Sequence, residues 1–107
     1  METKRIGQIE KKITSIKKAL GAIGPMRPGS LTKQFKDREN EAGAFWQISY
    51  TRQMHSRTDY IRREWVKTTQ QQIKEYKTFK RLIDTWVALA IEHAKLTMKI
   101  ENSKAKK

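Results

Sequence analysis

The chain has 107 residues, 36% of them hydrophobic, and carries 24 Lys and Arg against 11 Asp and Glu, a formal net charge of +13. That length suits one compact domain with a modest core, and self-repulsion of that size calls for a compensating partner, with nucleic acid ahead of an anionic membrane surface or an acidic protein. The lack of cysteine excludes disulfides and thiolate metal sites, and His55 and His93 lie too far apart in sequence to suggest a metal-ligand pair, so neither a structural metal nor a cofactor is expected.

The first residues, Met1-Glu2-Thr3-Lys4-Arg5-Ile6, hold no apolar run of signal-peptide length. The longest apolar stretch, Trp86 to Ile91, is far short of a membrane span, and a cytoplasmic protein without a membrane role is expected. Ile6, Ile9, Ile13, Ile16, Leu20 and Ile23 then recur at steps of three and four, with Lys11, Lys12, Lys17 and Lys18 on the other face. This is an amphipathic helix with a narrow Ile seam, ended by Gly21, Gly24 and Pro25. A single helix of this length is marginal alone and must dock, on another part of the same chain or on a second copy as a homodimer.

Gly24 to Ser30 contains both prolines and two of the five glycines and reads as a turn or extended linker. Leu31-Thr32-Lys33-Gln34-Phe35 alternates as a short strand, and the charged stretch Lys36 to Gly43 reads as a loop. Phe45-Trp46-Gln47-Ile48-Ser49-Tyr50-Thr51 is the clearest strand in the chain, with Trp46, Ile48 and Tyr50 on one face. After a polar loop near Arg52 to His55, residues 56–62 read as the return strand of a hairpin. The loop lacks the Asn-Gly pair that would set the register. The favoured register turns Tyr60 toward the Trp46 face, which puts Arg57 and Arg63 with Gln47 and Ser49; a shift of one residue would turn Ile61 inward instead.

Thr68-Thr69-Gln70-Gln71 offers a helix cap, and no Gly or Pro interrupts the chain from there to Glu101. One long helix of about 50 Å is expected, its apolar stripe widening after Leu82 so that the later part needs two neighbours. Its first half should cover the Trp46 face of the sheet and its second half the Ile seam. The expected class is thus α+β and mostly helical: an N-terminal helix over 1–23, a three-stranded antiparallel sheet with a long helix over 24–101 in the same domain, and a disordered basic tail over 102–107.

The run Gly24-Pro25-Met26-Arg27-Pro28-Gly29-Ser30-Leu31-Thr32-Lys33-Gln34-Phe35, followed by Phe45 to Thr51, by Tyr60-Ile61-Arg62-Arg63 and by Leu82-Ile83-Asp84-Thr85-Trp86-Val87, resembles a family of short uncharacterised prokaryotic proteins often encoded beside transposases. Members commonly carry cysteines between the first two strands, suggestive of a small metal knuckle. Here that stretch, Lys36 to Gly43, has none, and no metal role carries over. The order of three strands and a helix also looks like the DNA-binding domains of integrase arms and AP2-type factors, which lay a sheet in the major groove. Together the resemblances imply an accessory or regulatory DNA-binding protein, the first of them one belonging to a mobile element.

Residues 24–66 hold eight cations, six of them Arg, whereas the flanking segments are almost all Lys. Arg forks match phosphates and guanine edges, while Lys acts as a point charge. The expected nucleic-acid contacts are Arg27, Lys33, Gln47, Ser49, Thr51, Arg52, Arg57, Arg62 and Arg63, set against ordinary solvated strand residues with Asp59 and Glu64 pairing two of the arginines. Phe45, on the face opposite Trp46, is a candidate for base stacking. No Ser, His and carboxylate pattern supports catalysis, and neither an enzyme nor a small-molecule substrate is expected. RNA in place of DNA, or a helical adaptor that binds a protein partner, are the alternatives.

Overall fold

The computed structural model describes residues 2–105. Helix α1 spans Glu2–Gly21; strands β1 (Ser30–Asp37), β2 (Ala42–Arg52) and β3 (His55–Ile61) follow; a 3₁₀ turn over Arg63–Trp65 leads into helix α2, Val66–Ala105. The class is α+β, as expected. Two compact units make up the chain, Met1–Ile23 with Phe79–Lys107 and Gly24–Thr78. Helix α2 contributes to both.

In the helical unit the Ile seam is occupied by the chain's own α2. Ile9 is fully buried, Ile16 and Leu89 nearly so, and Ile13, Leu20, Leu82, Trp86 and Leu96 pack around them. Ile6 and Ile23 close the two ends half-buried. Polar groups flank this seam. The Arg5 guanidinium grips Glu92 through two hydrogen bonds of 2.6 and 2.9 Å, Lys99 meets Glu2 at 2.7 Å, and Lys17 lies 5.4 Å from the Trp86 ring centroid. The widened stripe of α2 finds one neighbour here where two were expected, so Val87, Ile91 and Met98 stay exposed. Residues 102–105 continue α2 instead of forming a disordered tail; the remaining tail residues, 106 and 107, lie outside the described residues.

The other unit is an antiparallel sheet in the order β1-β2-β3. Its strands are longer than the alternation suggests, because the charged stretch after Lys36 pairs as far as Asp37 opposite Ala42 and leaves only a tight turn. Asp37 closes that turn by accepting from the Asn40 side chain at 2.8 Å and its backbone N–H at 3.3 Å, which lowers the Asp37 pKa. The register of the hairpin corrects the expected one: Trp46 stands opposite Ile61 and Gln47 opposite Tyr60. Ile61 is buried with Ile48, while Tyr60 is 68% exposed. The gain from burying a branched aliphatic residue in the core exceeds that from a Tyr whose hydroxyl would need a partner there.

The linker is tied down at Arg27 and Gly29. The Arg27 backbone N–H donates to the Gln72 carbonyl of α2 at 3.1 Å, and its guanidinium donates to Asp59 of β3 at 2.7 Å. Gly29 has φ +135°, and a Cβ there would come within 2.7 Å of the Ile48 side chain, so only glycine lets the chain pass over the buried Ile48. The helix cap expected at Thr68 is displaced: α2 already begins at Val66, and Thr69 is buried in this unit's core.

Two outcomes test these contacts. Ile61→Ala should cost about 2–5 kcal/mol in denaturant unfolding and Tyr60→Ala less than about 1 kcal/mol, the reverse of what a Tyr60-inward register requires. The Arg5 hydrogen bonds hold the Glu92 carboxyl below the usual carboxylate range. Its contribution to stability is therefore complete above that range and is lost as pH falls through the depressed value. Glu92→Gln should flatten the acid limb of a pH-dependent unfolding series while leaving the neutral region shallow.

Candidate nucleic-acid interface

Alternation along the three strands divides their side chains between two faces. One face carries Leu31, Trp46, Ile48, Tyr50 and Ile61 and holds the buried core. The other is open and carries Ser30, Thr32 and Gln34 from β1, Phe45, Gln47, Ser49 and Thr51 from β2, and Ser56, Thr58 and Tyr60 from β3. Hydroxyl and amide groups meet across it: Gln34 donates to Thr32 at 3.3 Å, and the Ser49 and Thr58 hydroxyls lie 3.4 Å apart. In a chain of charge +13 this face carries a charge only at its Lys36 end.

The expected contact residues do not form one surface. Gln47, Ser49 and Thr51 share the open face, but the register puts Arg52 and Arg57, along with Lys33, on the opposite one. Arg63, expected beside Gln47 and Ser49, stands outside the strands in the 3₁₀ turn, and Arg62 precedes that turn with its carbonyl accepting from the Trp65 N–H at 2.9 Å. Arg27 is committed to Asp59. Asp59 therefore pairs with an arginine from the linker instead of one from the hairpin. No ion pair involves Arg52, Arg57, Arg62 or Arg63 among the described residues.

Arg52 and Arg57 nevertheless come together with the polar residues at one place. Pairing of β1 with β2 begins at Ser30 opposite Ser49, so Tyr50 to Arg57 continue as a two-stranded ribbon with no third strand. The ribbon reaches about 10 Å past the sheet at 3.4 Å per residue. Residues 51–58 are all exposed, so both sides of the ribbon face solvent, Arg52, His55 and Arg57 on one and Thr51 and Ser56 on the other.

Its tip differs from the loop expected over Arg52 to His55. Arg52 pairs directly with His55, and the turn is only Gln53-Met54, with φ of +52° and +67°. That is the two-residue turn whose twist suits a hairpin, built from residues that adopt positive φ at a cost of about 1–2 kcal/mol each. Met54 is 96% exposed. Nothing in the sequence marks this turn, because the Asn-Gly pair that signals it is missing.

Comparison with models of protein families, with curated proteins and with solved structures finds no match to this chain. Among the described residues no helix is long and apolar enough to cross a membrane.

Replacing Gln53-Met54 by Asn-Gly should relieve the turn and raise stability by about 1–2 kcal/mol in chemical denaturation. An unchanged or lower midpoint would mean that the turn carries no backbone strain.

Proposed function

We propose that the chain binds nucleic acid, with double-stranded DNA as the first partner, by laying the ribbon of residues 50–57 in a groove. The observation that carries this reading is the projection of that ribbon beyond β1 with Arg52, Arg57 and His55 exposed on it. A groove of B-DNA is wide enough for a two-stranded β-ribbon, and guanidinium forks suit both phosphates and guanine edges. Thr51 and Ser56 on the other side of the ribbon supply hydroxyls for phosphate oxygens or base edges. The Lys-rich remainder of the chain adds long-range attraction without selectivity.

The role is one of binding, not catalysis, and the resemblance to proteins encoded beside transposases favours an accessory or regulatory part in a mobile element. A second reading, an adaptor that binds a protein partner through its helices, draws on the exposed Val87, Ile91 and Met98 of α2.

Replacing Arg52 and Arg57 together by Ala should weaken binding to duplex DNA several-fold and lower the slope of log affinity against log salt by about two, with the far-ultraviolet circular dichroism unchanged. An unaltered affinity and slope would exclude the ribbon. A wild-type chain that ignored every nucleic acid at low salt would leave the adaptor.

A further inference from the structure

The end of the sheet away from the ribbon has a different construction. Strand β3 leaves at Ile61, opposite Trp46, so residues 42–45 of β2 pair with β1 alone. On the open face this brings Phe45 and Tyr60 together as diagonal neighbours across β2 and β3, within reach of one another for aromatic side chains. Both line a hollow with Lys36, Gly43 and Ala44, and both also line an adjoining one that continues round the end of the sheet to Lys33, Trp46 and Ile61 of the inner face and to Arg63. Gly43 faces Lys36, and a Cβ at Gly43 would come within 3.0 Å of the Lys36 Cβ; with φ +69° the position also disfavours any side chain. Position 43 therefore accepts no side chain without displacing the Lys36 stem.

Two aromatic rings on an open sheet face, one of them largely exposed, with cations at the margins, suit a flat, electron-rich heterocycle attached to a phosphate. Every nucleobase offers a π-face for stacking, and stacking on aromatic side chains with basic residues along the backbone is how single strands are held without sequence preference. A base inside a duplex has both faces already covered by its neighbours. We infer that Phe45 and Tyr60 form a stacking site for an unpaired nucleobase, with Lys36 and Arg63 placed for its flanking phosphates. The site is separate from the ribbon and takes a different form of nucleic acid, a single strand, overhang or extruded base of DNA or RNA.

The test is a titration of the full chain against single-stranded oligonucleotides carrying 2-aminopurine, one of deoxythymidine and one of uridine, beside a blunt DNA duplex. Binding should quench the 2-aminopurine fluorescence. Tyr60→Leu should remove the quenching and weaken single-strand binding about tenfold, Tyr60→Trp should restore both, and blunt-duplex affinity should not move. Quenching with the thymidine strand, the uridine strand or both supports the site and identifies its source. Equal single-strand affinity and quenching for wild type and Tyr60→Leu, or no single-strand binding at all, would overturn it. The ribbon is judged separately: loss of duplex binding in the Arg52 and Arg57 variant concerns that surface alone, and a chain that binds single strands through Tyr60 but ignores duplex would overturn the ribbon and leave the stacking site standing.

Discussion

Burial of Ile61 beside Ile48, opposite Trp46, determines where every other side chain of the hairpin points. The side-chain period of a strand is two, so choosing Ile61 for the core commits Tyr60, Thr58 and Ser56 to the open face and Asp59 and Arg57 to the inner one. Asp59, half-exposed on the inner face, takes a partner there. The linker supplies it, because Arg27 reaches Asp59 while its own backbone is held by Gln72, and Gly29 lets the chain cross Ile48 on the way. Linker, sheet and the first turns of α2 thus satisfy one another.

This arrangement separates two kinds of polar surface in a chain whose total charge conceals the difference. Arginines outside any ion pair lie on the ribbon and at the turn after β3. The open sheet face is made of hydroxyls, amides and two aromatic rings. Contacts to the first kind depend on ionic strength. Contacts to the second depend on shape, hydrogen bonding and stacking, which salt affects far less.

Periodicity made most of the architecture legible. The Ile seam, the first two strands and the long helix are each written as a spacing, and the α+β class follows from their order. Boundaries were harder, because Lys36 and Asp37 have no alternation to show that they pair, and because the 3₁₀ turn at Arg63 starts α2 ahead of the Thr68 cap. The register was hidden for a specific reason. Ser56-Arg57-Thr58-Asp59-Tyr60-Ile61-Arg62 has no apolar alternation, the Gln53-Met54 turn carries no signature, and the partner of Asp59 is an arginine 32 residues earlier in the chain. Of the candidate site, the identity of the arginines was legible and their facing was not. Phe45 could be singled out from its strand alone, but its neighbour Tyr60 became visible only with the cross-strand pairing.

A three-stranded sheet has two outer strands, and β1 and β3 each leave a row of backbone groups facing outward. Such edges invite strand addition by another molecule of the same kind. Their charged side chains are Lys33, Lys36 and Asp37 on β1 and Arg57 and Asp59 on β3, the last paired with Arg27, in a chain already at +13. Two copies approaching edge to edge would bring these cations together, whereas a polyanion would be drawn to them. The net charge of the chain therefore opposes edge-to-edge pairing of its own copies.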